Sequence, residues 1–355
     1  MKDIIGANPG PESPQATWVT VDEDSEGQRL DNFLLRQLKG VPKTHVYRII
    51  RSGEVRVNKG RAAADARVRA GDVVRLPPVR VSDRAAQKRQ AMEQAMPQAS
   101  VQAARNFPVL FEDDSMLVID KPAGTAVHGG SGVSFGVIEQ LRMARPQARF
   151  LELVHRLDRE TSGILLVAKK RSALKNLQDQ FRSRDTGKTY LAMVDGLWHV
   201  SKKVLDKPLH KYLVGAAVDG SDGERRVKVV AKGDPDGMPA LTLVRVRQSS
   251  AAAAALPCSL LEVTIKTGRT HQIRVHLASE GHPILGDDKY GKFDRNRELA
   301  RGGPLPPLKR MFLHAWQFQC NHPSTGERMH LQAELPPELA DFARAVLPGP
   351  QAPSP

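Results

Sequence analysis

The pattern of apolar and polar positions predicts two short helices near the N-terminus. Apolar residues at i, i+3, i+4 and i+8 mark the first helix: Leu30, Phe33, Leu34 and Leu38. We expect Thr44 to cap the second helix, because a threonine side chain accepts a bond from a free N–H of the first turn. Alternating apolar residues predict short strands at 18–21, 55–57 and 73–76. Together these elements predict a compact module of about 60 residues.

A longer stretch of strands and helices follows. Continuous apolar runs predict strands at 116–119, 164–168, 189–194 and 260–265. Helical spacing predicts helices at 135–143 and 173–181 and a short helix near Thr270. The alternation is irregular, which indicates a mixed α/β or α+β domain rather than a regular doubly wound sheet.

Composition suggests where the domains begin and end. We predict a flexible N-terminal segment over 1–24, a first domain over 25–82 and an Ala- and Gln-rich linker over 83–105. The larger domain is predicted over 106–347, and a Pro-rich disordered tail over 348–355. The alanine-rich segment 248–257 is interpreted as a loop insertion.

The net charge of +14 is the most informative part of the composition. Residues 27–90 hold 16 Lys and Arg against 5 Asp and Glu, so most of the excess lies in the first quarter of the chain. A polyanionic partner follows, with RNA or DNA favoured over anionic lipid. A solvated basic surface that aids solubility is the alternative.

Several protein classes are disfavoured by what the sequence lacks. There is no apolar stretch of about 18 residues to span a membrane, and the first 20 residues have no apolar core for a secretory leader. Two cysteines, Cys258 and Cys320, do not form a disulfide framework of the secreted type. We therefore expect a cytoplasmic protein. Nucleotide-cradling glycine motifs are absent, and histidines 271, 276 and 282 are not spaced to share one helix face as metal ligands.

The densest polar run places Asp158 among arginines on a turn before an apolar strand. It reads LVHRLDRETSGILLVAKK over residues 153–170. Positive charge nearby favours the ionised form of a carboxylate, which then serves as a nucleophile or a base. A solvated turn with a surface ion pair is the alternative.

Two further segments hold candidate residues. In KTGRTHQIRVHLASEGHPILGDDKYG (266–291), Ile273 and Leu277 lie on one helix face, and Arg274 lies on an adjacent face directed toward a cleft. Tyr190 begins a predicted strand in GKTYLAMVDG. A basic helix face without a ligand and a sheet tyrosine are the respective alternatives.

Taken together, these motifs resemble the RluA-type pseudouridine synthase family. HRLDRETSGILLVAKK, GRTHQIRVHLASEGHPILGDDKYG and LVIDKPAGTAVHGG resemble its successive motifs, and residues 28–76 resemble an S4-type RNA-binding domain. The resemblance covers residues 25–345. It implies an α+β fold, in which a small S4-like domain precedes a mixed α/β catalytic domain with a largely antiparallel sheet. It also implies an isomerisation of uridine that requires no metal and no cofactor.

The resemblance assigns roles to five residues. Asp158 is the essential carboxylate, which either attacks C1′ of the nucleotide or removes a proton from C2′. Arg274 is its ion-pair partner. Tyr190 stacks on the uracil and takes part in removing the C5 proton. Arg156 fills the space left by the flipped nucleotide, and Leu313 lines the uracil pocket.

The same resemblance defines the expected partner. Lys43, Arg48 and Arg51 form the predicted RNA-binding surface of the S4-like domain. The subgroup it most resembles acts on 23S rRNA, so we expect 23S rRNA or a large-subunit assembly intermediate as the substrate of a monomer. Three alternatives stay open at this point: a non-catalytic S4-bearing rRNA-binding or assembly factor, the same chemistry on other rRNA or tRNA uridines, and a DNA-binding regulator.

Overall fold

The computed structural model describes residues 15–22, 25–38, 41–79, 107–129, 135–214 and 224–347. The contacts divide the chain into two units, Met1–Ser100 and Val101–Pro355, each of which is described by itself. The predicted linker 83–105 and tail 348–355, with most of the predicted segment 1–24, lie outside the described residues.

In the first unit, two helices pack on a three-stranded antiparallel sheet of order β1-β3-β2. The elements are β1 (Thr17–Thr20), α1 (Leu30–Gln37), α2 (Lys43–Arg51), β2 (Arg56–Val57) and β3 (Val73–Leu76). The apolar faces of both helices are buried in one core, which includes Leu30, Phe33, Leu34, Val46, Ile49 and Val74.

The prediction that Thr44 caps the second helix is wrong. Helix α2 begins at Lys43, and its N-cap is Pro42, which makes no side-chain cap. Proline fixes φ at −57° here, and the helix begins two residues earlier than a cap at Thr44 would place it. The Pro42 carbonyl then accepts the bonds from the N–H groups of His45 and Val46.

The second unit is built around a ten-stranded sheet. Its main path is β4-β5-β7-β14-β8-β13-β12-β9, with β6 paired to β7 and β15 paired to β14. The strands are β4 (Val109–Glu112), β5 (Met116–Lys121), β6 (Glu152–Leu153), β7 (Ser162–Ala168), β8 (Gly187–Asp195), β9 (Val204–Asp206), β12 (Leu241–Ser249), β13 (Cys258–Ile265), β14 (Leu313–Asn321) and β15 (Arg328–Gln332). A separate hairpin joins β10 (Leu209–Val214) to β11 (Glu224–Val229).

Nearly all of this sheet is antiparallel, which confirms the α+β expectation. Strands β7 and β14 pair in parallel, and the other strand pairings in the described residues are antiparallel. The helices are α3 (Val137–Ala144), α4 (Arg171–Ser183), α5 (Gln272–Ser279), α6 (Phe293–Arg301) and α7 (Pro337–Val346). None of the helices in the described residues has the length and apolar character to cross a membrane.

Strand β7 is buried on both faces, which explains its unbroken apolar run. Leu165 and Val167 belong to the apolar cluster that contains residues of α3. Ile164 and Leu166 belong to the cluster that contains residues of α4. A strand covered on both sides loses the polar alternation of a half-exposed strand. The loop that precedes β7 is thereby attached to a strand that is buried throughout its length.

The insertion predicted at 248–257 is shorter than expected. Gln248 and Ser249 are the last residues of β12, and the following residues form the connection to β13. The pairing of Ser249 with Ser259 extends the ladder into the predicted loop.

Candidate active site

The structure brings the five predicted catalytic and substrate-binding residues of the second unit to one cavity of about 100 Å³. Asp158 and Arg156 lie on the loop between β6 and β7. Tyr190 is the fourth residue of β8, Arg274 the third of α5 and Leu313 the first of β14. Parts of the chain more than 150 residues apart in sequence therefore form the walls of one small pocket.

Asp158 is paired with Arg274 and not with its neighbours in sequence. Its Oδ2 lies 3.5 Å from Nη1 of Arg274, and its side chain is 28% exposed. Arg159 instead pairs with Glu160 at 2.9 Å, and Arg156 is exposed at the pocket wall. The arginine paired with this carboxylate is therefore Arg274, the partner that the resemblance implies.

Hydrogen bonds to two acidic residues fix the orientation of Arg274 beside the Asp158 carboxylate. Its Nε and Nη2 donate to the two oxygens of Asp287 at 2.7 Å, and Nη2 also donates to Asp288 at 2.9 Å. Burial lowers the pKa of Arg274, but its bonds to Asp287 outweigh that effect and hold the pKa above its usual value. The remaining amino group, Nη1, is thereby directed at Asp158. Such a bidentate pair fixes orientation as well as charge.

Tyr190 lies in the pocket as a neutral phenol. It is 8% exposed, and burial together with the charge of Asp158 raises its pKa well above 10. A phenol that keeps its proton at neutral pH is a poor base. The environment therefore favours the stacking role expected of Tyr190 over the proton-accepting one.

The loop between β6 and β7, which contains Asp158, is bonded to the loop that follows β5. The Nζ of Lys121 donates to the carbonyls of Pro122, Thr125 and Arg159 at 2.8–3.1 Å. Burial lowers the pKa of Lys121 to about 7. Three carbonyl acceptors match the three N–H bonds of an ammonium group, which favours the charged form.

His155 is packed at the beginning of the same loop. Its ring stacks on Phe181 and Phe318 with centroids 5.2 and 5.8 Å apart. Its Nε2 accepts a bond from the N–H of Leu166 in β7. Burial lowers the pKa of His155 to about 4, so the ring is neutral at pH 7.

Three residues of the site received no role from the sequence. The carboxylate of Asp287 accepts hydrogen bonds from the guanidinium group of Arg274. His271 lies 3.9 Å from Asp158, and Tyr290 contacts His271. They occur inside the segment 266–291 that the sequence singles out, but their contacts arise only when the segment folds back on itself. A second cavity of about 370 Å³ opens on the other side of Asp158, between His128, Arg159 and Lys289.

The predicted RNA-binding residues lie on the first unit. Lys43, Arg48 and Arg51 are all exposed on α2, whose buried residues are Val46, Ile49 and Ile50. Nη2 of Arg48 lies 3.1 Å from the ring nitrogen of His45. The exposed side of α2 is therefore a basic surface, as the spacing predicts.

No group of three or more His, Cys, Asp or Glu side chains in the described part of the chain is arranged to hold a metal ion.

Comparison with known proteins identifies the family. Residues 115–279 match the family model of RNA pseudouridylate synthase, and residues 28–74 match that of the S4 domain. The chain is 49% identical over 324 residues to ribosomal large subunit pseudouridine synthase C of Salmonella typhimurium, with 91% of this chain and 94% of the relative covered. The Escherichia coli K12 protein of that name matches to the same extent. The chain belongs to the RNA pseudouridylate synthase family.

Solved structures of this family share the fold. Human RNA pseudouridylate synthase domain containing 4 is 26% identical with a TM-score of 0.56, covering 71% of this chain and 99% of that chain. Human RNA pseudouridylate synthase domain containing 1 is 25% identical with a TM-score of 0.51, covering 66% and 85%. Membership in the pseudouridylate synthase family makes the chain an isomerase of RNA uridines, and a non-catalytic role is not favoured.

Proposed function

We propose that this enzyme isomerises specific uridines of 23S rRNA to pseudouridine, with Asp158 as the reacting carboxylate. The convergence of Asp158, Arg274, Tyr190, Arg156 and Leu313 on one small cavity is the observation that carries this proposal. The substrate is supported by the relatives named for the ribosomal large subunit and by the basic S4 domain.

In the proposed reaction, the bond between N1 and C1′ breaks, the uracil rotates, and C5 forms the new bond to C1′. Asp158 either attacks C1′ to give a sugar ester or removes the C2′ proton to give a glycal. When C5 bonds to C1′, it displaces the Asp158 carboxylate in the ester route, and in the glycal route Asp158 returns the proton to C2′. In both routes the C5 proton is released and N1 takes up a proton, so that the atoms balance. Both routes need an ionised carboxylate, and Nη1 of Arg274 lies 3.5 Å from its Oδ2.

The other residues of the pocket receive the flipped nucleotide. A uridine in a stacked strand must leave the stack before its C1′ comes within reach of Asp158. We assign the uracil to the wall formed by Tyr190 and Leu313, both nearly fully buried. Arg156 is exposed beside the cavity, and we assign it to the space the nucleotide vacates.

The S4 domain supplies affinity rather than sequence choice in this account. Lys43, Arg48 and Arg51 contact phosphates, which position RNA without reading its bases. We propose a monomer that acts in the cytoplasm on 23S rRNA or on a large-subunit assembly intermediate.

The substrate assignment is tested with RNA that carries tritium at C5 of uracil. Isomerisation exchanges that hydrogen, so tritium in water reports the reaction directly. Large-subunit rRNA, small-subunit rRNA and tRNA are compared at equal uridine concentration, and protein-free large-subunit rRNA is compared with assembly intermediates.

We expect release from large-subunit rRNA or its assembly intermediate alone. Release only from tRNA or small-subunit rRNA would retain the chemistry and overturn the 23S assignment. Absence of release from every RNA, although the RNA binds, would favour the non-catalytic binding factor.

A further inference from the structure

His271 faces the reacting carboxylate from the side of α5. Its Nε2 lies 3.9 Å from Oδ2 of Asp158, the same oxygen that Nη1 of Arg274 approaches at 3.5 Å. Within the described residues, the other oxygen, Oδ1, accepts no hydrogen bond. Distances of this kind are long for hydrogen bonds, and in substrate-free sites such bonds commonly shorten when the substrate binds.

The other nitrogen of the ring is held by Tyr290. The hydroxyl of Tyr290 lies 2.8 Å from Nδ1 of His271, and it accepts a bond from the N–H of Val227 at 3.0 Å. Burial raises the pKa of Tyr290 to about 12, so the hydroxyl keeps its proton. With Val227 as the donor to this oxygen, the phenol proton is free to be donated to Nδ1. Nδ1 is then the unprotonated nitrogen, and the N–H of the neutral ring is at Nε2.

The charge state of the ring agrees with this assignment. Burial lowers the pKa of His271, and Arg274 and Lys289 lower it further against the opposing effect of Asp158. A neutral imidazole with its proton on Nε2 presents an uncharged donor to the carboxylate.

The backbone at His271 is in an unusual conformation. Its φ of 54° and ψ of 20° lie in the left-handed region, immediately before the first residue of α5. Glycine adopts this conformation at least cost, whereas other residues there commonly mark functional sites. The left-handed conformation directs the imidazole toward Asp158 and Tyr290 instead of along the helix.

We propose that His271 is a positioning residue for Asp158, fixed by the Tyr290 hydroxyl in the tautomer that donates from Nε2. The proposal rests on the proposed function, because it deepens the role of Asp158. His271 and Arg274 together engage Oδ2 and leave Oδ1 free to react with the sugar. A ring in the other tautomer would present a lone pair to the carboxylate and repel it.

Tyr290→Phe removes this contact together with the acceptor of the Val227 N–H, while the phenylalanine ring keeps the packing against Arg274 and His271. His271→Leu removes the donor, and His271→Gln restores an N–H at a similar reach. At saturating RNA we expect the single-turnover rate of tritium release to fall about tenfold in Tyr290→Phe and further in His271→Leu. His271→Gln should recover most of the loss, and RNA Kd should be unchanged in all three. A Tyr290→Phe rate equal to wild type, or equal losses in His271→Leu and His271→Gln, would overturn the proposal.

A second measurement reads the tautomer without activity. In protein labelled with ¹⁵N-histidine, the His271 resonances are assigned by their loss in His271→Gln. We expect an unprotonated Nδ1 and a protonated Nε2, and a mixture of tautomers in Tyr290→Phe. A wild-type ring protonated at Nδ1 would overturn the proposal even in an active enzyme. Wild-type protein that releases no tritium from any RNA would instead overturn the proposed function, while the tautomer result would stand.

Discussion

At the scale of single residues, the charge next to Asp158 is set by Arg274, and the orientation of Arg274 is set in turn by Asp287. The buried guanidinium group of Arg274 donates to Asp287 through Nε and Nη2. The remaining nitrogen, Nη1, faces the carboxylate of Asp158. Lysine carries the same charge as arginine but has one nitrogen, so it serves one of these partners at a time.

Arg274→Lys should therefore lower activity although the positive charge is kept. We expect the single-turnover rate to fall about 100-fold with unchanged RNA Kd, because the misplaced cation no longer orients Asp158. Arg245→Lys is the matched control, since the exposed Arg245 on β12 pairs with Glu262 on β13 at 3.7 Å and does not line the active cavity. A rate for Arg274→Lys equal to that of the control would contradict this account.

The sequence predicts which residues meet in the site better than it predicts their contacts. Asp158, Tyr190 and Arg274 were found by motif, and the structure brings them together. The pairing of Arg274 with Asp287 was not predicted, because Asp287 reaches Arg274 only through the fold of the segment after α5. The sequence places arginines beside Asp158, but Arg159 pairs with Glu160.

At the scale of elements, the parallel pairing of β7 with β14 fixes the strand that follows the Asp158 loop. Gly163 in β7 lies opposite Ala315 in β14 with a φ of 109°. A Cβ on Gly163 would lie 2.3 Å from the carbonyl oxygen of Ala315, so the two backbones approach closely only because the side chain is absent. This contact fixes the strand that begins four residues after Asp158.

Gly163→Ala should destabilise the second unit by about 3 kcal/mol, because a strand backbone cannot move aside without breaking the ladder. Gly281→Ala is the control. It also has a positive φ, of 84°, but its Cβ would meet nothing within 4 Å, so a loss of about 1 kcal/mol is expected. Urea unfolding measures both variants. Equal losses of unfolding free energy in Gly163→Ala and Gly281→Ala would contradict the destabilising contact of a Cβ at residue 163 with β14.

His155 makes the stability of the second unit depend on pH. Burial lowers the pKa of His155 to about 4 from its ordinary value of 6.5. Below pH 6.5 the unfolded chain takes up a proton that the folded protein does not, so stability falls as the pH falls from 6.5 to 4. The loss amounts to about 1.4 kcal/mol per pH unit.

His155→Phe tests this dependence. The phenylalanine continues the stack between Phe181 and Phe318 but does not titrate, and the lost bond to Leu166 adds an offset that is the same at every pH. Between pH 6.5 and 4.5, the unfolding free energy of the variant should fall less steeply than that of wild type by about 1.4 kcal/mol per pH unit. Parallel curves would contradict the buried, neutral state of His155.

Elements differ in how readily the sequence reveals them. Strands β7, β8 and β13 were predicted because each contains a long apolar run. Strand β14 was missed, because its polar residues interrupt such a run and its neighbour β7 lies about 150 residues earlier. Helix α5 shows little amphipathic pattern, since residues on all its sides are buried.

At the scale of the whole molecule, the excess of basic residues and the active cavity lie in different units. The basic excess of residues 27–90 overlaps the first unit, whereas the active cavity lies in the second. We therefore expect the α2 surface, with Lys43, Arg48 and Arg51, to govern RNA affinity and not the rate of the bound complex.

Replacing Lys43, Arg48 and Arg51 together by Gln should weaken RNA binding and reduce its salt dependence. The slope of log K against log salt should decrease in magnitude by about 2 to 3, since up to three phosphate contacts are lost. The single-turnover rate at saturating RNA should equal that of wild type. A lower rate with unchanged binding would place these residues in the reaction instead.

The central claim is that the carboxylate of Asp158 carries out the isomerisation, and Asp158→Asn tests it most directly. The amide is isosteric with the carboxylate but is neither a nucleophile nor a base, so the variant should fold, bind large-subunit RNA with the wild-type Kd and lose tritium release by at least about 1,000-fold. Tritium release near the wild-type rate from the folded, RNA-bound variant would contradict the account and assign the reaction to another group.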